Sequence, residues 1–370
     1  MKRLSFSGLA FSGLAFPALL SLSVLLLGSC APFRAGQDTT GPATPFTRYV
    51  ALGDSITAGF QSGGLTAASQ RAAYPTLLGE RGGLDVPMPE VNDPGCPPPV
   101  GVAGTKNCTL RQPGVVSPVV AVPGAKVGDV LSSTDTAVTD PDPQLYDAAL
   151  YRAILGPGTT QLEAALARRP LFATVWIGNN DVLLPTLRGR PDQATPLDRF
   201  RTDYAAMVDR LRAGGVRYLV LMTVPDVTRV PALIPARLLR LRGLVDASCQ
   251  GQEVYFGTVV IGRATQASPL SCSAPEALTA AEYAGSQRIV EGYNAAIREI
   301  AAARNVPVFD VTPVLDALPG RPLLPSAAQP FGPSFSLDGV HPSTLSHRRF
   351  AQELAVFMNA QFGTRLNTRP

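Results

Sequence analysis

Short apolar runs that end in polar turns constrain the fold of this 370-residue chain more than any other feature. Tyr49–Leu52, Leu171–Ile177 and Val216–Val224 are nearly continuous in hydrophobic residues, a pattern that predicts strands buried on both faces. Val115–Val122 and Val306–Val311 are two further predicted strands. Helical patterns separate these runs, and strands that alternate with helices form βαβ units around a parallel sheet. The sequence therefore predicts an α/β fold with helices on both faces of the sheet.

Helix signals occupy much of the remaining sequence. Thr279 and Glu282 form a capping-box signature, which predicts the start of a helix that extends to about Arg304. The other predicted helices cover residues 67–80, interrupted by Pro75, and about 145–155, 162–169, 197–211 and 343–361. Before the first of these helices, Gly59 and the Ser62–Gly64 run predict a loose segment.

The N-terminal segment predicts export. Lys2 and Arg3 precede a long apolar stretch, Leu9–Leu27, as in a signal peptide. The segment ends in Leu27-Gly28-Ser29-Cys30, which resembles the bacterial lipoprotein box, so residues 1–29 would be removed and Cys30 acylated. The alternatives are an ordinary signal peptide or an uncleaved anchor. We expect a lipoprotein held on a bacterial membrane in the cell envelope, although the sequence does not say which membrane.

After this segment the sequence predicts a tether followed by one domain. Residues 30–46 are rich in Thr, Pro and Gly and predict a flexible, lipid-anchored tether. Residues 47–370 are predicted to form a single domain, with a disulfide-bearing insertion at about 227–275. Within the insertion, 232–245 is rich in Leu and Arg. As a helix it would form either a cap over a substrate pocket, a surface for lipid head groups, or a helix packed on the sheet.

Composition limits the class of protein. Hydrophobic residues make up 45% of the chain and charged residues 16%, which allows a sizeable core and argues against disorder. Without residues 1–29, 30 basic residues stand against 28 acidic ones, so the charge gives no support for nucleic-acid binding. There is no phosphate-binding loop, dinucleotide fingerprint or clustered set of metal ligands, and we expect neither a cofactor nor a metal.

Of the five cysteines, one lies in the N-terminal segment and four lie in the predicted domain. If Cys30 carries lipid, Cys96, Cys108, Cys249 and Cys272 remain, and each neighbouring pair brackets a loop-like stretch. In an oxidising compartment the simplest bridges are Cys96–Cys108 and Cys249–Cys272. Other pairings remain open, because connectivity does not follow from sequence alone.

Three polar turns hold Ser55, Asn180 and His341, each after a predicted strand or a loop. The first and second follow predicted strands, whose carboxyl ends form the ligand-binding edge of an open α/β sheet. The segments 53–57, 178–181 and 338–342 resemble, in this order, the first, third and fifth blocks of the SGNH (GDSL-type) hydrolases, and Gly124 resembles the glycine of the second block. The resemblance covers about residues 48–357. It implies a three-layer α/β/α sandwich with a central parallel, flavodoxin-like sheet.

The same resemblance assigns a role to each site residue. Ser55 would be the nucleophile, His341 the general base and Asp338 the acid that orients the imidazole. The backbone N–H groups of Ser55 and Gly124 and the side-chain amide of Asn180 would form an oxyanion hole.

Neighbouring residues receive simpler interpretations. Asp54 and Asp181 are predicted to be turn residues, and Asn179 competes with Asn180 as the amide donor. His347 is predicted to be a surface or packing histidine, and Trp176 a core residue that could also line the cleft.

These patterns favour an exported serine esterase or lipase that hydrolyses carboxylic esters through an acyl-enzyme intermediate. A carbohydrate or peptidoglycan O-acetylesterase would share the mechanism and differ in its pocket. A non-catalytic, envelope-binding lipoprotein is the alternative from another class. The expected partners are a small-molecule, lipid or glycan ester and, through the lipid, the membrane.

Overall fold

The computed structural model describes residues 44–138, 146–320 and 328–370. Pro42–Pro370 forms one compact unit. The predicted signal peptide, Cys30 and most of the tether lie outside the described residues. No helix within the described ranges has both the length and the apolar character needed to cross a bilayer.

Two sheets are present in the described residues. The strands are β1 Tyr49–Gly53, β2 Phe172–Trp176, β3 Tyr218–Met222, β4 Leu233–Pro235, β5 Val254–Gly257, β6 Leu278–Thr279 and β7 Val308–Phe309. The first sheet is parallel, in the order β1-β2-β3-β7, and the second is antiparallel, in the order β4-β5-β6. The predicted parallel sheet is therefore confirmed, whereas the sequence did not predict the antiparallel one.

The helices of the described residues are α1 Ser55–Ala58, α2 Ala67–Arg71, α3 Tyr74–Arg81, α4 Val127–Ser132, α5 Ala148–Leu155, α6 Gln161–Ala167, α7 Leu183–Leu187, α8 Leu197–Ala213, α9 Ala236–Arg240, α10 Thr258–Ile261, α11 Ala280–Ala303, α12 Thr312–Asp316 and α13 Thr344–Phe362. The predicted capping box of Thr279 and Glu282 is confirmed at the start of α11. Pro75 lies in the first turn of α3, where its missing N–H costs no helical hydrogen bond, so the predicted helix 67–80 is split into α2 and α3.

Helices cover both faces of the parallel sheet, because alternate strand residues point to opposite sides. On one side Val50, Leu52 and Val175 pack with α8 and α11. On the other side Ala51 and Trp176 pack with α3 and α13. This arrangement is the expected three-layer α/β/α sandwich. Burial of each large apolar side chain contributes about 1.5–3 kcal/mol to its stability.

The predicted strand Val115–Val122 is only partly formed. Its backbone follows the free edge of β1, since Ala51 N donates to Pro118 O at 2.9 Å and Val120 N donates to Ala51 O at 2.9 Å. Only the Ala51–Val119 pair forms a parallel bridge. Pro118 lacks an N–H, which weakens a ladder at this point. If this segment is counted as the second strand, the order along the sheet in chain sequence is 2-1-3-4-5, the flavodoxin-like order.

The segment 232–245 is not one helix, contrary to the expectation. Leu233–Pro235 pairs with β5, and the helix that follows, α9, has only five residues. Pro235 separates the two elements, because proline is compatible with the start of a helix but not with its interior. The inserted sheet has its own hydrophobic cluster, which includes Leu239, Cys249 and Phe256.

Both expected disulfides are present. Cys96 is bonded to Cys108 and Cys249 to Cys272, with Cα–Cα distances of 4.8 and 5.0 Å. The first bridge lies in the loops between α3 and α4, and the second lies in the insertion.

Candidate active site

Ser55 is held at the carboxyl end of β1 by a very tight turn. Asp54 caps α1, since its Oδ1 accepts a hydrogen bond from Ile56 N at 3.0 Å. A Cβ on Gly53 would lie 2.2 Å from the Oγ1 of Thr57 and 2.5 Å from the carbonyl oxygen of Trp176. Only glycine fits there, and the absence of a side chain brings the turn against β2. Ser55 is thereby fixed at the ligand-binding edge of the sheet, with 8% of its surface exposed.

His341 lies against this serine. Its Nε2 is 2.9 Å from the Oγ of Ser55, and its Nδ1 is 2.8 Å from the Oδ2 of Asp338. The ring of Phe60 packs on the imidazole at a centroid distance of 5.0 Å. The three side chains form one continuous line from carboxylate to hydroxyl.

Asp338 is oriented by several donors. Its Oδ1 accepts hydrogen bonds from the backbone N–H groups of Val340 and His341 at 2.8 and 2.9 Å. Its Oδ2 also accepts one from Gly63 N at 2.6 Å. The prediction that Ser62–Gly64 is a loose segment is therefore wrong, because this run contacts the acid of the predicted triad.

The turn after β2 brings two asparagines to the same edge. The side-chain nitrogen of Asn179 donates to the Oδ2 of Asp54 at 2.7 Å and so ties the two turns together. The side-chain nitrogen of Asn180 donates to the carbonyl oxygen of Ala125 at 3.0 Å. Because an amide nitrogen has two hydrogens, the side chain of Asn180 has a second N–H to donate.

Two cavities meet at Ser55. One has a volume of about 480 Å³ and the other about 370 Å³. Ser55, Asn180 and His341 line both cavities, whereas Gly124 lines only the smaller one. Gly124 has φ +86°, a backbone conformation that favours glycine. The structure thus brings together all the residues that the sequence assigned to the site.

The site lies where open α/β sheets bind ligands. The 118–122 segment follows one side of β1, and β2 pairs with its other side, so the strand order reverses there. The crevice at such a switch point lies outside the carboxyl ends of the strands. Within the described ranges, no group of three or more His, Cys, Asp or Glu residues could hold a metal ion.

A family model described as GDSL-like Lipase/Acylhydrolase family matches residues 51–349. The chain belongs to this family. Since the match covers most of the chain and includes every residue of the site, this GDSL-like acylhydrolase is an ester hydrolase.

Comparisons with solved structures give distant likenesses. An alpha/beta hydrolase enzyme from the metagenome of Lake Arreo, Spain, is 14% identical, with 87% of this chain and 96% of that chain covered and a TM-score of 0.40. A lipase/acylhydrolase from Enterococcus faecalis is 15% identical, with 85% and 96% covered and a TM-score of 0.39. A variant of an acetyl xylan esterase from Geobacillus stearothermophilus is 15% identical, with 85% and 94% covered and a TM-score of 0.36. No curated protein matches the chain. The family assignment therefore rests on the family model.

The electrostatics of the GDSL-like site favour a charged Asp338. Burial raises the pKa of this carboxyl group, but the charge of His341 and the hydrogen bonds from its ring and backbone outweigh burial and hold the pKa well below its usual range. Burial lowers the pKa of His341, and the charge and hydrogen bond of Asp338, with the charge of Asp54, raise it above its ordinary value. The imidazole is therefore a stronger base than a free histidine.

Burial shifts the pKa values of three groups near the site of this acylhydrolase. Burial raises the pKa of Asp54 to about 6 and that of Asp181 to about 7, against the hydrogen bonds that they accept. His347 is buried beside Tyr74, whose backbone N–H donates to its Nδ1 at 3.2 Å. Burial, followed by the charge of His341, lowers the pKa of His347 to about 3. His347 is therefore a neutral packing residue.

Sequence reasoning missed two features of the site. Gly63 contacts Asp338 across 275 positions of the chain, and Phe60 packs on His341 across a similar span. A single glycine or phenylalanine in a loop carries no local signal of such a contact. Trp176, which was predicted to be a core residue, is 1% exposed and also lines the larger cavity.

Proposed function

We propose that this chain is an exported serine esterase that cleaves carboxylic esters through an acyl-enzyme intermediate. The observation that supports this most is the line of contacts from Asp338 to His341, at 2.8 Å, and from His341 to Ser55, at 2.9 Å. A nucleophile, a base and an orienting acid within hydrogen-bond reach are the arrangement that ester hydrolysis through a serine requires.

The proposed mechanism follows from these contacts. Ser55 Oγ attacks the ester carbonyl carbon while His341 Nε2 takes the hydroxyl proton. Asp338 keeps the Nδ1–H of the ring in place and stabilises the imidazolium that forms. His341 then gives the proton to the leaving alcohol, and an acyl-Ser55 ester remains. A water molecule, deprotonated by His341, attacks this ester. The bond from the acyl carbon to Ser55 Oγ then breaks, His341 returns the proton to Oγ, and the carboxylic acid leaves.

Three donors are proposed to stabilise the oxyanion. Ser55 is the first residue of α1, so its backbone N–H has no acceptor within the helix. Gly124 and Asn180 line the smaller cavity beside Ser55. Asn179 lines only the larger cavity, whereas Asn180 lines both cavities and shares the smaller one with Gly124, which favours Asn180 as the side-chain donor.

The larger cavity favours an apolar acyl group longer than acetyl. Its volume of about 480 Å³ lies within the usual range for small-molecule sites. Most of its lining is hydrophobic, with Ile56, Trp176, Leu183, Val227, Val230, Leu315, Leu318, Phe331, Phe335 and Val340 around the catalytic edge. An O-acetylesterase has no need of this volume on the acyl side. A binding lipoprotein has no need of the aligned Ser55 and His341.

Hydrolysis of p-nitrophenyl esters from acetate to palmitate tests the proposal. The whole chain, in detergent, is compared with Ser55→Ala. We expect turnover by the wild type that rises with acyl length beyond acetate, and background rates for the variant. Activity confined to acetate would favour the O-acetylesterase, and equal activity of the two proteins would exclude Ser55 as the nucleophile. If the wild type were silent on all esters and phenylmethylsulfonyl fluoride left Ser55 unlabelled, the binding lipoprotein would be favoured.

Export and anchoring complete the proposal. Cleavage before Cys30 and acylation of its thiol and amine would place the enzyme on a membrane of the cell envelope, with residues 31–46 as a tether. We expect Cys30→Ala to leave the membrane fraction or to retain the uncleaved segment. Intact mass of the wild-type N-terminus provides the direct measurement. An unmodified Cys30 in membrane-bound wild type would refute the lipoprotein.

A further inference from the structure

The Ser62–Gly64 turn links the nucleophile segment to the acid segment. Ser62 N donates to the Oγ of Ser336 at 2.8 Å, and Leu337 N donates to the Oγ of Ser62 at 3.1 Å. Gly63 N donates to Asp338 at 2.6 Å, and the Oγ of Ser336 donates to the Oδ1 of the same carboxylate at 3.1 Å. Both oxygens of the predicted catalytic acid are thus contacted by this turn or by its direct partner.

The backbone of the turn has two consecutive residues with positive φ. Ser62 and Gly63 have φ +56° and +76°, and Gln61 and Gly64 exchange two backbone hydrogen bonds around them. This is the pattern of a two-residue hairpin turn, in which both central residues have positive φ. A serine at such a position is disfavoured unless its surroundings hold it there.

The first disulfide loop supplies those surroundings. Leu65 N donates to Pro97 O at 3.2 Å, Cys96 N donates to Leu65 O at 2.8 Å, and Val100 N donates to Ser62 O at 2.7 Å. Gly64 is so close to this loop that a Cβ would lie 2.5 Å from the oxygen of Pro97. Cys96 is fully buried at the start of the loop, and its bond to Cys108 closes it.

We propose that the Cys96–Cys108 disulfide is a positioning element of the active site, which acts through the Ser62–Gly64 turn on the carboxylate of Asp338. This inference rests on the proposed serine mechanism. Closure of the loop keeps Val100 and Pro97 against the turn, and the turn keeps Gly63 N on the carboxylate. Without the bridge the turn relaxes, Asp338 loses donors, and His341 loses its orientation.

The second disulfide provides a matched control. The inserted sheet lies beside the His341 turn, where Ala232, the residue before β4, donates its backbone N–H to Gly339 O at 2.9 Å. Cys249 and Cys272 belong to a different hydrophobic cluster, and neither cysteine lines either cavity of the described residues. Both bridges constrain the unfolded chain, so the loss of either one lowers the melting temperature. Only loss of the Cys96–Cys108 bridge should displace the carboxylate of Asp338.

The test compares the whole wild-type chain in detergent with Cys96→Ser/Cys108→Ser and with Cys249→Ser/Cys272→Ser. We expect the first double variant to lose about 10- to 100-fold in kcat, a size typical of a small misplacement of catalytic groups. The second should keep kcat within about twofold per folded molecule, although its melting temperature also falls. Wild-type kcat in a folded Cys96→Ser/Cys108→Ser protein would overturn the proposal.

A second readout does not depend on turnover. The chain has only two histidines, and burial lowers the pKa of His347 to about 3, so a proton NMR titration separates the two rings. The titratable groups that face His341 are Asp338 on its own turn, Asp54 beside Ser55 and His347 on α13. Displacement of Asp338 should lower the pKa of His341 in the Cys96–Cys108 variant alone. An unchanged pKa there, or an equal fall in both double variants, would refute the inference even if the protein hydrolysed none of the esters tested.

A milder pair of variants covers the case in which the first double variant does not fold. Ser336→Ala removes the hydroxyl that joins Ser62 N to Asp338, and Ser336→Thr retains it. We expect Ser336→Ala to lower both kcat and the pKa of His341, and Ser336→Thr to restore them. If Ser336→Ala titrates like the wild type, the link from Ser62 through Ser336 does not position the acid, and this part of the proposed route is excluded.

Discussion

The parallel sheet β1-β2-β3-β7 and the inserted sheet β4-β5-β6 differ in the polarity of the side chains that they bury. The edge of the parallel sheet has buried polar side chains among its hydrophobic ones, including Asp54, Asn179 and Asp181. The cluster of the inserted sheet is hydrophobic and closed by a disulfide, with Leu239 and Phe256 among its buried members. The first region can hold reactive groups in fixed positions because its strands are covered on both faces. The second region contributes stability, and we expect substitutions to separate the two roles.

The largest effect should come from Asp338→Asn at the parallel edge. The amide cannot stabilise the imidazolium and favours the wrong tautomer of His341, so kcat should fall about 10⁴-fold. Because the charge of Asp338 raises the pKa of His341, the acid limb of the kcat/KM profile should move to lower pH. Asp246→Asn in the insertion, where the carboxylate accepts from Ser248 N at 2.9 Å, is the matched control and should leave the profile unchanged. Equal losses in both variants would erase the distinction between the two regions.

Asn180→Ala should have the next largest effect. Loss of one oxyanion donor lowers kcat by about 10²- to 10³-fold. Steady-state kinetics with one ester, together with a urea denaturation curve, separates this from a loss of folded protein. A kcat within a factor of two of the wild type would remove Asn180 from the oxyanion hole.

Leu239→Ala should act only on stability. This side chain is 5% exposed within the cluster of the inserted sheet, and a Leu-to-Ala change at a buried site costs about 2–5 kcal/mol. We expect a lower urea midpoint and an unchanged kcat/KM below the unfolding transition. A matching fall in kcat/KM would show that the insertion shapes the active site and would contradict the comparison.

Asp181→Asn should change only the pH dependence of stability. Burial raises the pKa of Asp181 to about 7, above its ordinary value near 4, so the folded state binds a proton that the unfolded state has already lost. This group therefore makes the protein less stable as pH rises from about 4 to about 7, by about 1.4 kcal/mol for each unit of pKa difference. Asp181→Asn should flatten this part of the curve of unfolding free energy against pH. An unchanged slope would mean that the carboxyl group is ionised throughout.

The sequence predicted those features that depend on local pattern. Strand-to-turn transitions placed Ser55 and Asn180 at one edge, because buried parallel strands are continuous in apolar residues. The inserted sheet was missed because its strands have two to four residues and pair over long distances, as Leu233 does with Gly257. Such pairing leaves no periodicity to detect. The predicted helix at 232–245 failed for the same reason, since composition alone does not distinguish a short strand and helix from one helix.

Within the site, too, residues with local contacts were predicted and those with distant contacts were missed. His341 and Asp338 were assigned because the segment 338–342 resembles a block of a known family, and their spacing of three positions lets them bond each other in one turn. Gly63 was not, because its role depends on a backbone N–H and a partner 275 positions away. The Ser62–Gly64 run was predicted to be loose, but it forms a turn that is held by hydrogen bonds. Its rigidity arises from contacts that only the folded chain brings together.

The register of β1 and β2 limits where the chain can change its length. Gly53 lies opposite Trp176, so Ser55 and Asn180 reach the same edge after two and four further residues. One residue added to either strand would reverse the faces of its side chains, and one added to either turn would move a reacting atom out of reach. The connections at 82–90 and 241–253 contain neither a strand nor a helix of four or more residues within the described ranges, and loops of this kind tolerate insertions. We therefore expect homologous chains to differ in length at these loops while they keep the spacings 53–55 and 176–180 fixed.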